Sequence, residues 1–137
     1  MKIKTLTELT GFSLILLTTV LLFSCYEGFT GPEGEMLLKY LEPQALKELT
    51  LNPQENIWII DVRPASAYEK EHIPTARSYP SSEAGNRLNE IPKDQYLIFY
   101  CETGGRAQNV IERHFLPNGY TRLMNWGGFS RWKKAFK

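Results

Sequence analysis

Tyr96-Leu97-Ile98-Phe99-Tyr100-Cys101-Glu102-Thr103-Gly104-Gly105-Arg106-Ala107 is an apolar run that leads straight into one cysteine, two glycines and an arginine. The run predicts a strand. The glycines let the following turn curl so that successive backbone N–H groups point inward, and a helix starting near Arg106 adds its positive dipole end. Such a turn cradles an anion. A cysteine on its floor is favoured as the thiolate, the form that attacks. Cys101 is therefore the candidate nucleophile, and Glu102, Thr103, Gly104, Gly105, Arg106 and Ala107 form the candidate substrate-binding loop. The plain alternative for Cys101 is a small buried hydrophobe at a strand end. An arginine near the positive end of a helix dipole, however, calls for an anion to offset it.

Outward from this stretch, Ile57-Trp58-Ile59-Ile60-Asp61-Val62 is apolar at all but one position and is bounded by Pro53 and Pro64. That pattern suits a central strand of a parallel sheet covered on both faces. Arg122 to Asn125 reads as a shorter strand. Between it and the first strand, Ala107, Val110, Ile111, His114 and Phe115 recur at helical spacing until Pro117-Asn118-Gly119 stops the helix. Strand, helix, strand is a βαβ unit, so the expected fold class is α/β, a central parallel sheet with helices on both faces. Ligands of such sheets sit at the carboxyl ends of the strands, where Cys101 falls. Leu37 to Leu41 reads as a short edge strand and Pro43 to Leu49 as a short helix with proline in its first turn. Trp58, Trp126 and Trp132 read as core residues.

Asp61 and Arg63, at a strand end, predict an ion pair that fixes the turn, with support of the Cys101 loop as a further role. His72 precedes Ile73-Pro74 in a loop, where it bonds backbone or serves as an acid toward an acceptor thiol. His114 reads as a helix-surface residue. Two histidines without a second nearby thiol make no metal cluster of the usual spacing, so no metal is expected.

The interval between Cys101 and Arg106 is a Cys-x4-Arg loop, one residue shorter than the Cys-x5-Arg phosphate cradle of cysteine phosphatases. It resembles the active-site loop of rhodaneses, the sulfurtransferases. Ile59-Ile60-Asp61-Val62-Arg63, then Tyr68, then Glu71-His72-Ile73-Pro74-Thr75-Ala76 is similar to that family's strand ending in Asp-Val-Arg, an aromatic, and Gly-His-Ile-Pro-Gly-Ala. Gly119-Tyr120, Leu123 and Gly127-Gly128-Phe129 with Trp132 resemble its C-terminal segment. Glu71 and Thr75 replace both glycines of the family's histidine loop. Ala67 stands where tandem-domain rhodaneses place a substrate-binding arginine. The resemblance covers roughly residues 37 to 137. It implies a rhodanese-like fold and sulfur transfer through a Cys101 persulfide, from a small donor such as thiosulfate to a thiol or cyanide, with no organic cofactor.

The chain has 137 residues and a formal net charge of +1, from 16 Lys and Arg against 15 Asp and Glu. One domain is what this length allows. Lys2 and Lys4 precede an apolar stretch, Gly11 to Phe23, of about 13 residues against the roughly 20 that span a bilayer, which reads as a secretory signal. Leu22-Phe23-Ser24-Cys25 resembles a bacterial lipobox, in which the cysteine becomes an acylated N-terminus. The expected organisation is a signal over 1–24, a flexible Gly-rich tether over 25–36 and the domain over 37–137. Cys25 would then carry lipid and hold the protein at a bacterial cell envelope, facing the periplasm or exterior. An ordinary secretory signal, an uncleaved anchor helix, or a disulfide between Cys25 and Cys101 are the alternatives. With Lys2, Lys4 and Glu8 removed the chain is close to neutral and shows no basic stripe, so nucleic acid is not an expected partner. The competing functions are a membrane-tethered, non-enzymatic module that binds a thiol or anion and, disfavoured by the short loop, a cysteine phosphatase or arsenate reductase.

Overall fold

A computed structural model describes residues 27–137. Four strands make one parallel sheet in the order β2-β1-β3-β4: β1 Ile57–Asp61, β2 Arg77–Ser78, β3 Tyr96–Cys101 and β4 Leu123–Gly128. Around it lie α1 (Pro43–Leu51), α2 (Ala65–Lys70), α3 (Gly105–Val110, continued by a π-type turn over Ile111–Phe115) and α4 (Phe129–Phe136).

The unbroken apolar runs have a simple cause, since successive strand side chains alternate between two buried faces. Leu97, Phe99 and Cys101 enter one core with Val110, Ile111, Phe115 and Leu123. Ile98 and Tyr100 enter the other with Leu46, Leu49, Met124, Trp126 and Phe129. Trp126 is fully buried, whereas Trp58 and Trp132 pack at the margins of the two cores. The parallel register brings the carboxyl ends of β1, β3 and β4 together, pairing Asp61 with Tyr100 and Cys101 with Gly128.

Two expectations are corrected here. Leu37 to Leu41 is not an edge strand but part of a 3-10 helix, Glu35–Leu41, whose buried residues Leu37 and Tyr40 are three apart, the repeat of that helix. The described part of the expected tether is not a tether either. Gly28 N donates to Asn125 O at 2.8 Å, Asn125 N to Phe29 O at 2.8 Å and Gly31 N to Leu123 O at 2.9 Å, while Thr30 bridges Met124 antiparallel. This segment covers the edge that β4 would otherwise expose. Its glycines permit the close approach: a Cβ on Gly34 would collide with the Leu123 carbonyl. The signal reading of 1–24 and Cys25 itself lie outside the described residues.

Candidate active site

β3 delivers Cys101 at its last position, 1% exposed. The chain then turns through Gly104, whose φ of +98° is a left-handed conformation that an L side chain adopts only with strain, and enters α3 at Gly105. The turn brings the Gly104 N–H to 3.0 Å from Cys101 Sγ. Glu102, Thr103 and Arg106 are exposed around this sulfur, Gly105 is half-buried, and Gly104 and Ala107 are buried. The loop expected from the sequence is thus formed, with the sulfur on its floor and Arg106 at the start of the helix. The clefts elsewhere, one lined by Lys39, Tyr40 and Glu48 and another by Phe29, Pro32 and Leu38, include none of these residues.

The loop rests on β4 through contacts that admit no extra atoms. Gly127 adopts φ +104° at the irregularity where the β3–β4 register shifts. A Cβ on Gly128 would strike the Glu102 carbonyl oxygen and lie 3.0 Å from Thr103 Cα, both backbone atoms of the loop. Beside these glycines, Asn125 is fully buried and joins three elements. Its Nδ2 donates to Gly104 O and to Gln108 Oε1, each at 3.0 Å, and its Oδ1 accepts from Gly127 N at 3.0 Å. Gln108 N also donates to Gly104 O at 3.0 Å. Asn125 and Gln108 are site residues that the sequence reading missed. The available signal was a lone carboxamide inside Leu123-Met124-Asn125-Trp126, where an unpartnered polar group would be costly.

The ion pair of Asp61 and Arg63 is present and almost wholly buried, at 2.7 Å. Arg63 also donates from Nη2 to Glu71 O at 2.7 Å, stacks its guanidinium 4.1 Å from the Phe129 ring centroid, and places Nη1 3.7 Å from Glu102 Oε2. It therefore fixes the turn and also touches the Cys101 loop. Burial works against its charge, but the hydrogen bond and charge of Asp61, with Tyr100 and Glu102 adding to them, outweigh burial and hold the guanidinium above its ordinary range. Tyr100 donates to Asp61 Oδ2 at 2.7 Å and accepts from Ile73 N at 3.1 Å. Burial first, then the Asp61 hydrogen bond and charge, push its phenol far above the usual range, so it stays a donor.

Among the described residues His72 makes no hydrogen bond to Cys101. Its ring stacks on Tyr68 with centroids 3.8 Å apart, and its Nδ1 pairs with Tyr68 O at 2.8 Å, the backbone bond expected of it. Thr75, replacing a glycine of the resembled pattern, takes the left-handed φ of +66°. A threonine in this conformation carries local strain.

A family profile described as the rhodanese-like domain matches residues 42–135. The chain belongs to this family. Among its relatives, a sulfurtransferase of Allochromatium vinosum is 30% identical over 81 residues, covering 58% of this chain and 75% of that protein. The thiosulfate sulfurtransferase GlpE of Coxiella burnetii is 28% identical over 97 residues, covering 70% and 90%. The matches span between 60% and 97% of the lengths of the curated relatives. Among solved structures, a rhodanese-like domain protein of Staphylococcus aureus aligns with a TM-score of 0.57 at 27% identity, over 66% of this chain and 86% of its own. The expected rhodanese-like α/β fold is the fold of this protein.

Proposed function

We propose that this rhodanese-like protein is a sulfurtransferase that works through a persulfide on Cys101. The observation that carries the reading is the Gly104 amide 3.0 Å from Cys101 Sγ, on the floor of an otherwise solvent-facing loop with Arg106 at its rim. Relatives named as sulfurtransferases support it. In the first step the Cys101 thiolate attacks the outer sulfur of a donor such as thiosulfate. A sulfur–sulfur bond forms to Cys101, the donor's own sulfur–sulfur bond breaks, and sulfite leaves with the electron pair. The Gly104 amide and the Arg106 charge stabilise the anions entering and leaving. In the second step an acceptor thiolate, or cyanide, attacks the outer sulfur of the persulfide and restores the Cys101 thiolate. Glu102 lies beside the nucleophile and opposes an anionic donor, although Arg63 at 3.7 Å offsets part of its charge.

The proposal includes a lipid anchor at Cys25, on the outer side of a bacterial membrane, resting on the signal-like 1–24 stretch and Leu22-Phe23-Ser24-Cys25. Small sulfur donors, thiol acceptors and the membrane are the partners this implies. Sulfur transfer from thiosulfate to cyanide by a fragment comprising residues 27–137, beside its Cys101→Ser variant, tests the chemistry. Folding of both is checked by circular dichroism. Activity abolished in the folded variant is expected, and retained activity overturns the persulfide.

A further inference from the structure

The segment Glu27 to Gly34 is fixed along β4 beside the Cys101 loop and begins two residues after the proposed anchor. Glu27 is held by Arg131, whose Nη1 lies 2.7 Å from Glu27 Oε1 and 3.2 Å from Trp126 O, and whose Nη2 donates to Leu41 O at 2.7 Å. Glu27 Cγ is 3.4 Å from the point where a Cβ on Gly127 would sit, and Gly127 Cα is 3.1 Å from the corresponding point on Gly104. Gly104 in turn donates to Cys101 Sγ. Glu27, Gly127, Gly104 and the sulfur are therefore a path of close neighbours at the carboxyl end of β4. Cys25 is two residues before Glu27, so covalent geometry alone keeps it within about 7 Å of that residue along the chain. The opposite end of β3 is about 17 Å away, five steps from Cys101 to Tyr96 at a strand rise of about 3.3 Å each.

From this path we infer that the Cys101 loop is held against the membrane surface and that its acceptor is a thiol borne by the same membrane rather than one diffusing in bulk. The inference rests on the persulfide chemistry and the Cys25 anchor proposed above. A flexible tether of a dozen residues would let the loop face any direction. A segment hydrogen-bonded to β4 from Gly28 onward turns the loop toward the anchor. The exposed Arg106, with no carboxylate in salt-bridge range among the described residues, and Lys133, over the Phe129 ring, add positive charge at this end that the exposed Glu102 carboxylate only partly offsets, since Arg63 lies 3.7 Å from it. The transfer itself is unchanged: the outer sulfur of the Cys101 persulfide passes to the acceptor thiolate, leaving a persulfide on the acceptor and the thiolate on Cys101.

The test uses the full chain, acylated in cells and reconstituted in vesicles carrying a headgroup-linked quencher. A fluorophore is attached through Thr103→Cys in the loop, or through Lys93→Cys near the far end of β3, each in a Cys101→Ser background. Quenching at 103 should exceed that at 93 by about fivefold or more, since contact quenching fades over a distance shorter than the sheet. Inserting about 20 Gly and Ser residues between Tyr26 and Glu27, a coil spanning roughly 25 Å, should bring the two labels to equality. In the otherwise unmodified sequence, the same insertion should slow transfer to a thiol-headgroup lipid severalfold while leaving transfer to soluble mercaptoethanol unchanged. Equal quenching without the insertion, or a lipid-thiol rate indifferent to it, overturns the inference. A chain that fails to float with the vesicles overturns the anchor and this inference with it. The thiosulfate–cyanide assay in solution reports on the persulfide chemistry separately.

Discussion

Asn125→Ala should loosen the Cys101 loop and destabilise the protein by an amount that the hydrogen-bond inventory fixes. The substitution removes three bonds, but Gly104 O keeps its bond from Gln108 N. Two buried groups, Gly127 N and Gln108 Oε1, are left without partners. At roughly 1 to 3 kcal/mol for each, the loss is about 2 to 6 kcal/mol. Urea unfolding followed by the fluorescence of the buried Trp126 would read this as a midpoint lowered by about 2 M, for a slope near 1.5 kcal/mol per M. Gln108→Ala orphans only one Asn125 N–H in the core and should cost about 1 to 2 kcal/mol. The double variant leaves Gly127 N alone unpaired, so it should be no less stable than Asn125→Ala and fall short of additivity by about 2 to 5 kcal/mol. Sulfur-transfer kcat/KM should drop more in Asn125→Ala than in Gln108→Ala, because only Asn125 joins the loop carbonyl to β4. Losses that add within about 0.3 kcal/mol, or an Asn125→Ala protein within about 0.5 kcal/mol of its parent, would refute the reasoning.

Gly128→Ala forces a methyl into the Glu102 and Thr103 backbone. It should cost about 1 to 3 kcal/mol in urea unfolding, and displacing the loop by about 1 Å should cut kcat/KM by about a hundredfold. Thr75→Gly, at an exposed position, relieves about 1 to 2 kcal/mol of left-handed strain and loses about 0.5 to 1 kcal/mol to glycine's freer unfolded chain, so thermal unfolding should show net stabilisation below about 1.5 kcal/mol. Glu102→Gln removes a half-exposed carboxylate beside the nucleophile and should raise kcat/KM for thiosulfate by a few fold, corresponding to roughly 0.2 to 1 kcal/mol. The gain should shrink as ionic strength rises, and a lower rate with every donor would mean that Glu102 assists the reaction.

The parts legible in the sequence were those with an unambiguous local cause. Tyr96 to Cys101 is apolar on both faces because both faces are buried, and Gly104-Gly105 followed by the spacing of Ala107, Val110 and Ile111 signals a turn into a helix. Leu37 to Leu41 misled because so short an apolar run does not by itself tell strand from helix, whereas the buried pair is Leu37 and Tyr40, three apart. Gly28, Gly31 and Gly34 resembled a flexible linker by composition, yet Gly31 and Gly34 let backbone meet backbone along β4. That distinction depends on what lies opposite, which a linear reading does not contain. The two-residue strand β2 is too short to leave a periodic signal, and Asn125 reveals its role only once β4 and α3 are side by side.

In the proposed mechanism Cys101 itself carries the sulfur in transit. The folded protein would be treated with thiosulfate, freed of excess reagent and measured by intact and peptide mass spectrometry. The expected result is the added mass of one sulfur atom, confined to the peptide containing Cys101, lost on incubation with cyanide and absent from Cys101→Ser. An unmodified Cys101 in a protein that is nonetheless turning over thiosulfate would contradict it.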